Sequence, residues 1–199
     1  MNVRFPALLV AVLILPCCRN EVEETAKESD PATVERDRLM AMGKEVIQEL
    51  ATTLGSLLNK AIAEGGPVEA VKVCQLKAGP MTKSFNGGRE GVNVSRTSLK
   101  YRNPQNAPDE LDRKVLESWQ HELEAGNSLP PLSIELRDED TAIVYKPIML
   151  QAVCLNCHGA EEQLLPELKT VLDELYPEDK ARGFKVGDLR GAFRVEMTR

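Results

Sequence analysis

Aromatic residues fill only 4% of the 199 positions, and histidine occurs twice. No stretch is dense in lysine and arginine, and 25 basic against 31 acidic residues leave a net charge of −6. Electrostatic binding of nucleic acid is therefore not expected. No apolar run reaches the ~20 residues that a bilayer-spanning helix needs. Cysteine is present but unevenly spread, at positions 17, 18, 74, 154 and 157. An odd, scattered set is not a fully paired disulfide framework, so the thiols have separate jobs. What remains, with 42% hydrophobic residues, is enough to bury the core of one domain plus an appendage.

The appendage is at the start. One charge, Arg4, precedes the apolar run Ala7 to Leu15, which has the dimensions of a signal-peptide h-region. Leu15-Pro16-Cys17-Cys18 resembles the lipobox of bacterial lipoproteins. Pro16 hinders cleavage before Cys17, which makes Cys18 the better lipid acceptor. Residues 19–30 are polar and highly charged and read as a solvated tether. The expected organisation is a signal peptide at 1–17, a lipid-anchored charged tether at 18–30 and a domain at 31–199. That places the domain in the periplasm or another extracytoplasmic space, held to a membrane by lipid.

Asp30-Pro31 forms an N-cap and first helical position. Leu39, Met42, Val46, Ile47, Leu50, Leu54, Leu57, Leu58 and Ile62 then recur at helical spacing up to Gly65-Gly66-Pro67. A shorter helix is expected from Pro67 to about Ala78, interrupted by Gly79-Pro80. A strand is read from Val92 to about Tyr101, and a helix from Pro108 to Ala125 with Leu111, Val115, Leu116, Trp119 and Leu123 on its apolar side. Two strands follow, at 132–136 and 141–148, then a helix around 167–176 and a closing strand in which Phe193, Val195 and Met197 alternate with charges. The pattern is α+β, with helices first and then a small antiparallel sheet carrying helical insertions.

Cys154-Leu155-Asn156-Cys157-His158 is C-x-x-C-H, the attachment signature of c-type haem. Two thiols one helical turn apart can bond the two vinyl groups of one porphyrin, and the adjoining imidazole reaches its iron. With five Cys and two His in the chain, a chance match has a probability on the order of 10⁻³. A zinc site would need four ligands, with Cys74 completing the set. A thioredoxin-like C-x-x-C would not require His158.

The second axial ligand is less plain. His121 falls roughly 280° around its helix from Leu111, outside an apolar arc of roughly 140°, and faces solvent. Met149 is too near Cys154 in sequence to reach the opposite haem face easily. Cys74 shares a face with Ala70, Val71 and Ala78, small neighbours that leave room for a flat macrocycle, although a lone cysteine there also reads as a small buried hydrophobe. Met81 stays open beside it. Arg96, Lys100 and Arg102 fall on one face of the expected strand by period 2, where they could bind haem propionates.

Several segments resemble an exported c-type haem domain family with a PAS-like fold, found as a free-standing cyanobacterial protein and as the sensory part of bacterial histidine kinases and chemoreceptors. They are Ala70-Val71-Lys72-Val73-Cys74, the stretch Arg96-Thr97-Ser98 through Arg102-Asn103-Pro104 to Pro108, Cys154 to Gly159, Tyr176 to Ala181, and Gly187 to Phe193. The resemblance implies a PAS-like antiparallel sheet preceded by a long N-terminal helix and holding one haem c, with His158 and Cys74 as axial ligands. No kinase or chemoreceptor module accompanies it, so a sensory role would need a redox or signalling protein partner.

A thiolate ligand favours Fe(III), which suits redox or small-ligand sensing. A periplasmic electron-transfer cytochrome c is the alternative. An enzyme is not expected, because two axial ligands block the iron and no distal histidine is at hand. Scarce aromatics fit as well, since the haem itself would supply a large apolar body.

Overall fold

The computed structural model describes residues 30–85 and 88–199. The signal peptide, Cys17, Cys18 and nearly all of the tether lie outside them. The α+β architecture is as expected: a long N-terminal helix, then four antiparallel strands with helical insertions.

Helix α1 (Pro31–Val73) starts with the Asp30 side chain accepting from the Ala32 amide and Pro31 in the first turn. Its first half lays Leu39, Val46, Ile47 and Leu50 on one face of the sheet, against Val94, Ala142, Val144, Val195 and Met197. Gly66 then breaks the helical path with φ 71° and ψ −170°, a conformation open to glycine and strained for other residues. Pro67 restarts the helix, where its missing N–H costs nothing. Beyond this kink Val71 packs on Leu164, Leu168 and Leu172 instead of the sheet. The kink thus carries Cys74 away from the sheet face.

Gly79-Pro80 does not end the helical run. A π turn over Cys74–Ala78 leads into α2 (Gly79–Ser84).

The sheet order is β1-β4-β3-β2, with every neighbouring pair antiparallel. Strand β1 spans Val92–Thr97, β2 Ser133–Leu136, β3 Thr141–Met149 and β4 Leu189–Thr198. Alternation sends Val195 and Met197 of β4 toward α1, and Ala192 and Arg194 toward the other face. There α3 (Glu110–Glu124) covers the sheet with Val115, Leu116 and Trp119 over Ile143 and Tyr145. His121 is exposed, as its helical angle requires. Helix α4 (Leu155–His158) and helix α5 (Pro166–Leu175) follow β3. Among the described residues no helix is long and apolar enough to cross a membrane.

A buried charge cluster fastens α3. Asp109 and Asp112 form a capping box. Asp112 also accepts from the Tyr145 hydroxyl at 2.7 Å and Arg194 Nε at 3.0 Å. Burial, then the bond to Asp112, pushes the Tyr145 phenol upward, so it stays a protonated donor. Removing the carboxylate would leave the buried Tyr145 hydroxyl and Arg194 Nε without their acceptor, although Arg194 Nη2 keeps Glu196. Asp112→Ala is expected to cost about 3–5 kcal/mol in urea denaturation, whereas Glu117→Ala on the exposed side of α3 should cost under about 0.5 kcal/mol.

Candidate functional site

The C-x-x-C-H turn follows directly from the end of β3. A 3-10 turn at Ala152–Cys154 runs into α4, so Cys154 and Cys157 are one turn apart. Backbone bonds pin the turn to residues 181–184. The Gly183 amide donates to Gly159 O at 2.8 Å, and the Phe184 amide to His158 O at 3.0 Å. His158 Nδ1 lies 2.8 Å from Ala181 O. A carbonyl only accepts, so Nδ1 carries the proton and Nε2 keeps its lone pair. Burial first, then the charges of Arg102 and Arg190, hold the imidazole pKa down to about 3, and the ring is neutral.

Cys74 comes to the same place from the far side of the α1 kink. Cys74 and Cys154 both lie within electrostatic range of Cys157, and all three are free thiols. Burial raises the Cys74 thiol, while Arg96 and Arg102 pull the other way. Met81 and Met149 are half-buried.

The basic groups are arranged differently from the expected strand face. β1 stops at Thr97, because Ser98 turns away to bond Asn106 O through its amide. Arg96, Lys100 and Arg102 therefore share no strand face. Lys100 is exposed, donates to Arg182 O at 2.6 Å and caps the Phe184 ring at 4.4 Å. Arg102 clamps the turn, donating to Cys157 O at 2.6 Å and to Asp179 Oδ2 at 3.1 Å. Asp179, with 2% of its side chain exposed, also binds Arg182 at 3.0 Å.

Arg96 and Arg190 have no such partner. Among the described residues neither forms an ion pair, and the buried Nε of Arg96 has no hydrogen-bond acceptor. Arg190 Nη1 has only the neutral Ser98 Oγ at 2.8 Å and Lys100 O at 3.0 Å. Burial, then repulsion from Arg102 and Arg96, lowers its pKa to about 10. Arg190 is placed by Gly191, whose φ of 152° and approach to Thr97 O (2.3 Å from where a Cβ would stand) exclude a side chain. Sequence reading missed Arg190. Its signal was a lone arginine beside a glycine at the start of the closing strand.

Residues 19–198 match the Tll0287-like family. The chain belongs to that family. A solved relative, described as the crystal structure of the cyanobacterial heme-protein Tll0287, is 28% identical with a TM-score of 0.60. The match covers 86% of this chain and 98% of that one. No match was found among curated proteins.

The Tll0287-like site fits a porphyrin better than a bare ion. Among the described residues no three His, Cys, Asp or Glu side chains form a metal-holding group. A haem brings its own four nitrogens and asks only for axial ligands. It also brings two carboxylates, and two guanidinium groups here lack any.

Asp179 supplies a pH test of the clamp. Burial would raise its pKa, but Arg102's charge, the Ala181 amide and the bonds from Arg102 and Arg182 bring the net value below the usual 3.8. Its stabilisation is present above that value and is lost as pH falls toward the lower folded value. Asp179→Asn should lose about 3–5 kcal/mol at pH 7. Its stability should also fall less steeply than the wild type's below pH ~4 in acid titrations followed by circular dichroism.

Proposed function

We propose that this chain is an exported haem protein that responds to redox state or to a small ligand. Cys154 and Cys157 would hold one haem c through thioethers, and His158 and Cys74 would hold its iron. The observation that carries this reading is the pair Arg96 and Arg190. Arg190 lies within electrostatic range of Cys154 and His158, Arg96 lies within range of Cys74 and Arg190, and among the described residues neither forms an ion pair with a carboxylate. Desolvated charges demand partners, and the haem propionates match them in number and sign. Kinship with a heme-protein supports the same conclusion.

When bound, the haem supplies a one-electron iron couple. The chain does the rest. The Ala181 carbonyl fixes the His158 proton on Nδ1 and leaves the Nε2 lone pair for the iron. Arg102 holds the Cys157 carbonyl and keeps the turn in register. Cys74 would give up its proton on holding the iron, since metal binding outweighs the burial that keeps the free thiol protonated. A thiolate stabilises the ferric state. With both His158 and Cys74 on the iron, the ferric protein would offer an oxidisable substrate no place at the metal, and the proposed role is not enzymatic. Residues 1–17 direct export, Cys18 carries lipid, and residues 18–30 tether the domain outside the cytoplasm. A redox or signalling protein receives the output.

A second reading, electron transfer, is favoured by Val153. It is 55% exposed next to Cys154 and offers an apolar contact at the expected haem edge.

Periplasmic expression with a haem-maturation system tests the first reading. Denatured protein should retain one haem by pyridine haemochrome assay, and Cys154→Ser with Cys157→Ser should retain none. Cys74→Ala should keep the haem and change the oxidised spectrum. An unchanged oxidised spectrum would remove Cys74 from the iron. Rapid CO binding to the reduced protein supports sensing. Indifference to CO with fast reduction by a partner cytochrome supports electron transfer.

A further inference from the structure

The helix carrying Cys74 changes pitch at that residue, winding through a π turn over Cys74–Ala78. Pro80 explains the change. In an unbroken α-helix its ring would press on the Leu76 carbonyl four residues earlier and leave it without a donor. Widening the turn accommodates the proline with poorer hydrogen-bond geometry. Apart from the buried bond from the Thr82 hydroxyl to Ala78 O at 2.7 Å, little holds the turn down. Gln75, Leu76 and Lys77 are exposed, Leu76 at 69%. Only Ala78 within it is buried, and Gly79 has open space where a Cβ would stand. Segments with so few buried contacts open at low cost.

A cavity of about 220 Å³ adjoins this turn. Gln75 forms one wall, and Asn103, Pro104 and Tyr176 line the others. Gln75 adjoins Cys74 in the chain, and Tyr176 is within electrostatic range of Cys74, Arg96 and Arg102, so the cavity lies near Cys74. Its volume is several times the ~30 Å³ share of one water. The lining is uncharged except for Glu178, which disfavours anions.

We propose that the Cys74–Ala78 turn is a latch and that the cavity beside it admits a small uncharged ligand, of the size of carbon monoxide or nitric oxide, to the haem face that Cys74 covers. This depends on the haem reading above. In the exchange the Cys74 sulfur leaves ferrous iron and takes a proton from solvent, while the incoming ligand's lone pair fills the vacated position. No electron is transferred.

Carbon monoxide binding to dithionite-reduced, full-length holoprotein tests the latch by stopped flow. Pro80→Ala restores an ordinary helical N–H and should slow association by about tenfold, with the unliganded spectrum unchanged and the melting temperature at or above the wild type's. In a Cys74→Ala background the same substitution should have no effect. Gln75→Trp, which fills the cavity, should also slow association. In the wild type, amide exchange at 74–78 should quicken when carbon monoxide is added. Wild-type association rates in Pro80→Ala, or equal slowing with and without Cys74, would overturn the latch. An unchanged rate in Gln75→Trp would overturn the port, and unchanged exchange would overturn the opening. Protein purified without covalent haem would instead overturn the haem reading beneath both.

Discussion

Two guanidinium groups face a partly buried site with no carboxylate opposite them, and the arrangement around that site follows from this. Arg102 could not relieve the imbalance, because it is positive too. Asp179 could not, because Arg102 and Arg182 already share it. Isolated charges in a desolvated site are costly unless something neutralises them. The fold nonetheless concentrates them beside two thiols and a neutral imidazole. Under the proposed function the missing counter-charge is the haem dicarboxylate, so part of the site's stability belongs to the holoprotein alone.

The scaffold serves that concentration from three directions. The Gly66 kink lifts the end of α1 off the sheet and delivers Cys74 to the turn at 154–158. The segment leaving β1 crosses residues 179–182 and staples them through Lys100, Tyr101 and Arg102. β4, which lies between β1 and β3, begins beside that segment, so Arg190 enters from the start of a central strand. Distant parts of the chain converge there, while the charge cluster around Asp112 independently fixes the opposite face of the sheet.

Much of this was legible in the sequence because its signals are local. Helical spacing of Leu39 through Leu50, alternation in β3 and β4, and the C-x-x-C-H spacing each depend on near neighbours. Small helical neighbours made Cys74 one candidate and the family resemblance singled it out, but its meeting with Cys157 depends on the kink. Arg96 and Arg102 were found on a mistaken premise. Their shared strand face does not exist, and tertiary crossing brings them near Cys74 instead. Lys100 lies beyond the strand, because Ser98 leaves the ladder after Thr97 and extended alternation stops there. Arg190 was missed because a lack of ion-pair partners is a property of three dimensions. Pro80 was read as a helix breaker, and the π turn shows how a helix can absorb one.

The unpaired arginines can be tested by the sign of a stability change. Thermal unfolding of Arg190→Met would be compared in holoprotein and in a haem-free Cys154→Ser/Cys157→Ser background. If the guanidinium is waiting for a haem carboxylate, the substitution should stabilise the haem-free protein and destabilise the holoprotein, each by about 1–3 kcal/mol. Changes of the same sign in both forms would contradict the account.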